Sequence, residues 1–296
     1  MSYLKKNDNV KIQKPFLKWV GGKTQIVKEI MSKIPKEMNN YHEFFLGGGT
    51  VLLAILSLQK QNKISIKNKV YAYDINESLI RLYKDIQNHK EELFDLVDSF
   101  RKEYDGIVGT VVLRKPISLN EAKTSKESYY YWIRSQYNQY SKSNVKRSAM
   151  FFFLNKTCFR GMYRESVNGF NVPYGHYKKT PQIITKNELD CIHELIQNVE
   201  FRTCHFIESF TNLQNGDFLY LDPPYAPENA KSFVGYVQDG FDLRTHLLLF
   251  EEIKKLNDGV RFLMSNAKVD LVTDNFKGYD SEDVLVRRAI HCKKPV

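Results

Sequence analysis

The chain lacks most of what would place it in a membrane or outside a cell. No apolar run approaches the roughly 20 residues a membrane-crossing helix needs. The lysine-rich opening, residues 1–13, carries no apolar stretch that could act as a secretory signal. Cysteine is sparse: Cys158, Cys191, Cys204 and Cys292 stand far apart and form no CxxC pair. That excludes a disulfide framework and a cysteine zinc cluster, and it reads as reduced thiols in the cytoplasm. Acids are short as well. Thirty-four Asp and Glu against 44 Lys and Arg leave a formal charge of +10, and the pI is near 9.2. A polyanionic partner is favoured, nucleic acid being the commonest; the plainer reading is a solubilising lysine surface. No internal repeat and no low-complexity linker interrupts the chain.

What is present is an α/β rhythm. The hydrophobic fraction is 42% over 296 residues, enough for one large domain or one domain with an insertion. Short apolar runs predict strands over 41–45, 70–74, 200–206, 218–221 and 261–264, with a closing hairpin around 276–291. Helices are predicted from Thr24, over 50–58, after Asn76, and over 91–104, 121–140, 145–154, 187–197 and 242–256. Strand 41–45, the glycines Gly47-Gly48-Gly49, a helix, and a strand ending in Asp74 make the first half of a dinucleotide-type βαβ unit. The glycines let backbone approach a ligand, and Asp74 stands where an acid accepts from ribose hydroxyls. An ordinary strand-to-helix turn would use the same glycines. The layout predicts a Rossmann-like sheet with helices on both faces over residues 1–87 and 181–296, interrupted by a mostly helical insertion over 88–180.

The most informative feature is Asp222-Pro223-Pro224-Tyr225, directly after the apolar run Phe218-Leu219-Tyr220-Leu221. The carboxyl ends of strands are where open α/β sheets bind ligands. Proline fixes φ and donates no hydrogen bond, so the prolyl carbonyls and the Asp222 carboxylate are acceptors held in place. Tyr225 adds a flat face. Rigid acceptors beside an aromatic plate suit a planar substrate bearing an amine, such as a nucleobase. The plainer reading is a tight turn with Asp222 capping the next helix. Between 141 and 186 the only acid is Glu165, whereas bases such as Lys156, Arg160 and Arg164 alternate with aromatics such as Phe159, Tyr163 and Tyr174. Bases for phosphates and arginines for base edges are what nucleic-acid readout uses. A solvated basic face over an aromatic core would look similar, and Phe151, Phe152 and Phe153 belong to core.

Taken in order, these motifs resemble the Dam-like family of DNA adenine methyltransferases, those with motifs in the alpha order. The likeness covers nearly the whole chain. Phe16-Leu17-Lys18-Trp19-Val20-Gly21-Gly22-Lys23 resembles the family's N-terminal cofactor motif, Phe45-Leu46-Gly47-Gly48-Gly49-Thr50 its glycine motif, Asp222-Pro223-Pro224-Tyr225 its catalytic motif, and Leu263-Met264-Ser265-Asn266 its later strand motif. Residues 155–164 and 170–175 resemble its recognition loop and the segment after it. The resemblance implies a methyltransferase dependent on S-adenosylmethionine, needing no metal, acting on double-stranded DNA in the cytoplasm of a bacterial cell or virus-infected host. It implies cofactor contacts from Trp19, Lys23, Phe45, Gly47, Gly49, Asp74 and Asp222, chemistry at Asp222, Pro223, Pro224 and Tyr225, and DNA contacts from Lys18, Asn155, Phe159, Arg160, Met162, Arg164, Asn171 and Tyr174. A cognate restriction endonuclease acting separately is a compatible partner. Arg160 stands where GATC-reading members carry Asn, and the run Cys158 to Arg164 is closer to members that methylate CATG.

Three other readings compete. Gly22-Lys23-Thr24 imitates the end of a P-loop, but the pattern needs a glycine at position 17, which is Leu. A non-catalytic DNA-binding protein would explain the basic insertion and leave the acceptors at 222–225 without a use. The same chemistry on RNA adenine is the third.

Overall fold

The computed structural model describes residues 10–177, 179–227 and 241–286. Its centre is a five-stranded, wholly parallel sheet of β2 (Tyr41–Phe44), β4 (Val70–Asp74), β7 (Val199–Thr203), β8 (Phe218–Leu221) and β9 (Arg261–Met264). The spatial order is β7-β4-β2-β8-β9. The first of these strands in the chain therefore lies in the middle, and strand order reverses between β2 and β8. That reversal opens a crevice at the carboxyl ends of the two strands. Two short strands, β1 (Glu37–Met38) and β3 (Ser65–Ile66), pair separately.

Parallel strands are covered on both faces, and the central β2 and β8 are buried throughout. One face, with Tyr41, Ala72, Phe201 and Tyr220, packs against α1 (Val27–Lys33), α2 (Thr50–Lys60) and α3 (Glu77–Asn88). The other, with Phe44, Tyr73, Leu219 and Leu221, packs against Phe206, Leu249, Phe250 and Ile253. β2 nevertheless carries two polar residues, His42 (0% exposed) and Glu43 (2%). His42 lies between the Asp217 carboxylate (3.0 Å) and the Tyr73 hydroxyl (3.1 Å), with its ring stacked 4.7 Å from that of Tyr71. Glu43 accepts from the Tyr41 hydroxyl at 2.7 Å.

The inserted segment supplies α4 (Lys90–Asp105), α5 (Leu119–Ala122), α6 (Lys126–Gln139) and α7 (Val145–Thr157), then a hairpin of β5 (Glu165–Ser166) and β6 (Gly169–Phe170). Caps set the helix starts: Ser125 accepts from the Ser128 amide at α6, and Asn144 from the Lys146 amide at α7. Phe151, Phe152 and Phe153 are at most 1% exposed and join the cluster that holds Phe16 and Tyr83. These helices thus share a core with the sheet instead of enclosing one of their own. The chain returns through α8 (Lys186–Ile196), opened by a Thr185–Glu188 capping box, then α9 (Phe206–Ser209) and α10 (Leu243–Lys254).

Three expectations shift. The helix expected from Thr24 starts at Val27, because residues 24–26 form a turn after Lys23. The strand expected to reach residue 206 ends at Thr203, and Phe206 opens α9 instead. No strand occurs among the described residues 276–286, and the remainder of the expected closing hairpin, 287–291, lies outside the described residues. In its place α11 (Asp270–Asn275) brings Phe276 back onto the Phe250 ring at 5.0 Å. Among the described residues, no helix is long and apolar enough to cross a membrane.

Candidate active site and cofactor cradle

The carboxyl end of β2 turns sharply. Phe45 takes φ 62°, a left-handed value uncommon outside glycine, and such strain clusters at functional sites. Gly47 (φ 51°) and Gly49 (φ 67°) follow before α2 begins. A Cβ at Gly49 would lie 2.1 Å from the buried Tyr83 hydroxyl, and one at Gly47 would lie 3.0 Å from the Trp19 ring. The loop is therefore glycine by necessity. Asp74 ties it down: its carboxylate accepts from the Gly47 amide and from the Asn76 amide, each at 2.9 Å. Burial raises its pKa, and those amides oppose the rise. The next residue, Ile75, is an aliphatic side chain left 72% exposed at the crevice. Phe45 meets the rings of Phe206 and Phe241, each at 5.7 Å. Trp19 stacks on Tyr163 at 5.8 Å, so the N-terminal motif packs against the inserted segment.

Across the crevice, Asp222 leaves β8 with its side chain 20% exposed. Lys23 Nζ donates to Asp222 Oδ2 at 2.5 Å and to the Gly21 carbonyl at 2.7 Å. It also lies 4.9 Å from the centroid of the Tyr225 ring. Asp222 Oδ1 is buried and has no hydrogen-bond partner among the described residues. Burial pushes the Asp222 carboxyl up to about 6, against the pull of the Lys23 ammonium. Pro223 is buried, whereas Pro224 is exposed and Tyr225 is 44% exposed. Glu43 lies beneath, its carboxyl pushed up to about 8 by burial, against hydrogen bonds from Tyr41 and the Leu52 amide. The sheet therefore offers one free acceptor, one cation and one open aromatic face at its switch point.

The expected DNA-contacting residues divide. Phe159 (41% exposed) and Arg160 lie outside, with the guanidinium 5.1 Å from the phenyl ring. Arg160 takes φ 55°, a conformation in which Asn is enriched. Arg164 is exposed on the hairpin, donating from Nε to Asn171 Oδ1 at 2.6 Å. Met162 is half-buried against the core. Two others lie inside. Asn155 is 2% exposed; its carboxamide accepts from the Lys18 amide at 2.9 Å and donates to the Lys18 carbonyl at 2.7 Å. Tyr174 is 8% exposed, and its hydroxyl is 2.5 Å from that of Tyr104. Both frame the loop from inside, their polar atoms already used. The Lys18 ammonium is occupied too, by the Lys156 carbonyl (3.1 Å) and the Tyr177 hydroxyl (3.0 Å). Sequence reasoning passed over Glu43, Ile75 and Phe206. An acid beside His42 inside a short strand was the available signal for Glu43.

Comparison with known proteins gives the family. The family model for D12 class N6 adenine-specific DNA methyltransferases matches residues 19–290. The chain is 35% identical over 293 residues to the type II methyltransferase M.MjaIII of Methanocaldococcus jannaschii, covering 95% of this chain and 93% of that one. It is 30% identical to the type II methyltransferase M1.LlaDCHI of Lactococcus lactis subsp. cremoris, over 97% and 92% of the two chains. It is 30% identical to a DNA adenine methylase of Haemophilus influenzae, over 94% and 87%. The chain belongs to the D12 class of N6 adenine-specific DNA methyltransferases. It is accordingly an enzyme that methylates adenine in DNA, and S-adenosylmethionine use follows from the family.

Proposed function

We propose that this chain methylates the exocyclic amine of an adenine extruded from duplex DNA, within a short palindrome, CATG ahead of GATC. The observation that carries the proposal is the Asp222 carboxylate at the switch point, with one oxygen on Lys23 and the other unused. The amine of adenine is a weak nucleophile because its lone pair is delocalised into the ring. Asp222 and the Pro223 carbonyl accept its N–H bonds, localise that pair, and stabilise positive charge as it grows on nitrogen. Tyr225 stacks on the base, worth about 1–3 kcal/mol, which offsets part of the few kcal/mol needed to extrude it. When bound, S-adenosylmethionine supplies a methyl group activated by its positively charged sulfur. The cradle fits it: Gly47 and Gly49 let the loop turn with left-handed backbone against Trp19 and Tyr83, Asp74 retains lone pairs for ribose hydroxyls, and exposed Ile75 with Phe206 offers an apolar seat for its purine. Trp19 and Lys23 close the other side.

We assign target recognition to residues 88–180, through Phe159, Arg160, Arg164 and Asn171 on the outer side of the loop and hairpin. A separate restriction endonuclease is the partner consistent with type II relatives. Plasmid methylated by the protein should resist an endonuclease cutting CATG; protection at GATC alone would reverse that order, and protection at neither would remove both. Tritium transfer from labelled S-adenosylmethionine to duplex DNA, compared with RNA, tests the substrate.

Two expected outcomes arise here. Asp222 must be ionised to accept from the amine, so kcat/KM should fall about tenfold per unit below pH about 6. Lys23→Met removes the cation that holds this carboxyl down, and the acid limb should move to higher pH. A profile whose limb stays put in Lys23→Met would separate the titration from Asp222. Arg164→Ala should lose about 10- to 100-fold in the rate ratio between the cognate site and a one-base variant, the range of a bidentate arginine–guanine contact. An unchanged ratio would place base reading elsewhere.

A further inference from the structure

β9 lies beside β8 with Leu221 level with Met264, and the Ser265 amide donates to the Leu221 carbonyl at 2.9 Å. The pairing thus runs past both strand ends, and Asn266 emerges next to Asp222-Pro223. The Asn266 carboxamide oxygen accepts from the Ala226 amide at 3.1 Å and from the Ala267 amide at 2.8 Å. Those two donors fix which end of the carboxamide is oxygen and which is nitrogen. They also tie the turn that carries Tyr225 to the end of β9. The amide nitrogen, Nδ2, is buried and has no partner among the described residues, as is Asp222 Oδ1.

A buried donor left unpaired is costly, and native proteins keep few of them. Here two such atoms of opposite sense, one acceptor and one donor, close adjacent strands at the catalytic crevice. Together they complement a planar edge that carries an N–H beside a ring nitrogen lone pair. Adenine has two such edges, its amine adjoining N1 on one side and N7 on the other. Guanine and thymine carry a carbonyl where adenine carries the amine, which would set acceptor against acceptor at Asp222.

We infer that Asn266 is a base-reading residue: its Nδ2 donates to a ring nitrogen of the extruded adenine while Asp222 Oδ1 receives the amine. The inference rests on the methyl-transfer reading and deepens it. It assigns the rejection of guanine and thymine to the pocket itself, apart from the loop that reads the surrounding sequence.

The test uses the full chain and three duplexes that differ only at the target: adenine, 1-deazaadenine and 7-deazaadenine. Each analogue keeps the amine and loses one ring nitrogen. Single-turnover methyl transfer from labelled S-adenosylmethionine is measured on each. The wild type should lose about tenfold on one analogue, the scale of one hydrogen bond, and little on the other. Asn266→Ala should be slower on adenine by a similar factor and should no longer distinguish the analogues. Asn266→Asp keeps the oxygen that holds Ala226 and Ala267 and removes the donor, so it should also lose the distinction. Wild type active on adenine yet within twofold on both analogues overturns the inference, as does discrimination that survives in Asn266→Ala. Wild type inert on plain adenine DNA overturns the methyl-transfer reading and this one with it. The wild-type series needs no variant, so it decides the matter even where a substitution unfolds the protein.

Discussion

Asp222→Ala is expected to bind DNA and to transfer methyl groups slower by a factor of about 100 to 1,000 or more, the loss seen when one preorganised charge-stabilising group is removed. Two effects add. The acceptor that localises the amine lone pair disappears. The Lys23 ammonium, its side chain only 7% exposed, also loses its carboxylate partner and keeps the Gly21 carbonyl. That uncompensated cation then stands where positive charge must grow on the amine, in a site where water screens it poorly. Asp222→Asn keeps the shape and one carbonyl acceptor without the charge, so its rate should fall between Asp and Ala. Removing both partners in Lys23→Met/Asp222→Ala should recover part of the loss, because the stranded charge goes with them. Single-turnover rates beside a gel-shift titration make the comparison. A near-normal rate in Asp222→Ala would take the chemistry away from this carboxylate.

The sequence carried the main frame for a physical reason. Phe218 to Leu221 is apolar without interruption because both faces of β8 are covered, and the change to Asp222-Pro223 marks where the cover ends. The glycines at 47 and 49 were legible because left-handed backbone against Tyr83 and Trp19 admits little else. What stayed hidden depends on contacts between distant segments. Asn155 looks like a polar loop residue and is instead the clasp on Lys18, 137 positions away. Tyr174 looks like an aromatic for stacking on bases and is spent on Tyr104, 70 positions away. Glu43 and His42 break the apolar pattern of β2, and only their partners Tyr41, Tyr73 and Asp217 explain why they are tolerated. Asn266 closes a motif the family likeness marks, but its unused donor shows only in three dimensions.

The other end of the same strand governs stability. Asp217, 0% exposed just before β8, accepts from the Asn40 amide (3.0 Å), the Asn40 carboxamide (2.7 Å) and the Gln214 amide (2.9 Å), and pairs with His42 Nε2 (3.0 Å). These bonds pin β8 to β2 at their amino ends and so set the crevice at their carboxyl ends. Asp217→Ala strands several buried donors at once and should cost about 3–5 kcal/mol, lowering the melting temperature by on the order of 10 °C. The cost should grow on acidification. Burial holds the His42 pKa below its usual 6.5, with Asp217 pulling it up. A depressed pKa gives stability that is present above the unfolded value and lost as pH falls through the folded one. Without Asp217 the folded value drops further, so the variant should lose stability more steeply than wild type below pH 6.5. Asp217→Asn, which keeps one acceptor for Asn40, should lie between. Urea unfolding at pH 8 and pH 5 measures the difference. Methyl transfer per folded molecule at 25 °C should stay within a few-fold of wild type, in contrast to Asp222→Ala, because Asp217 touches no reacting group. A variant as stable as wild type at both pH values would show that the clamp does not hold the sheet; one that is stable and inactive would move Asp217 into the chemistry.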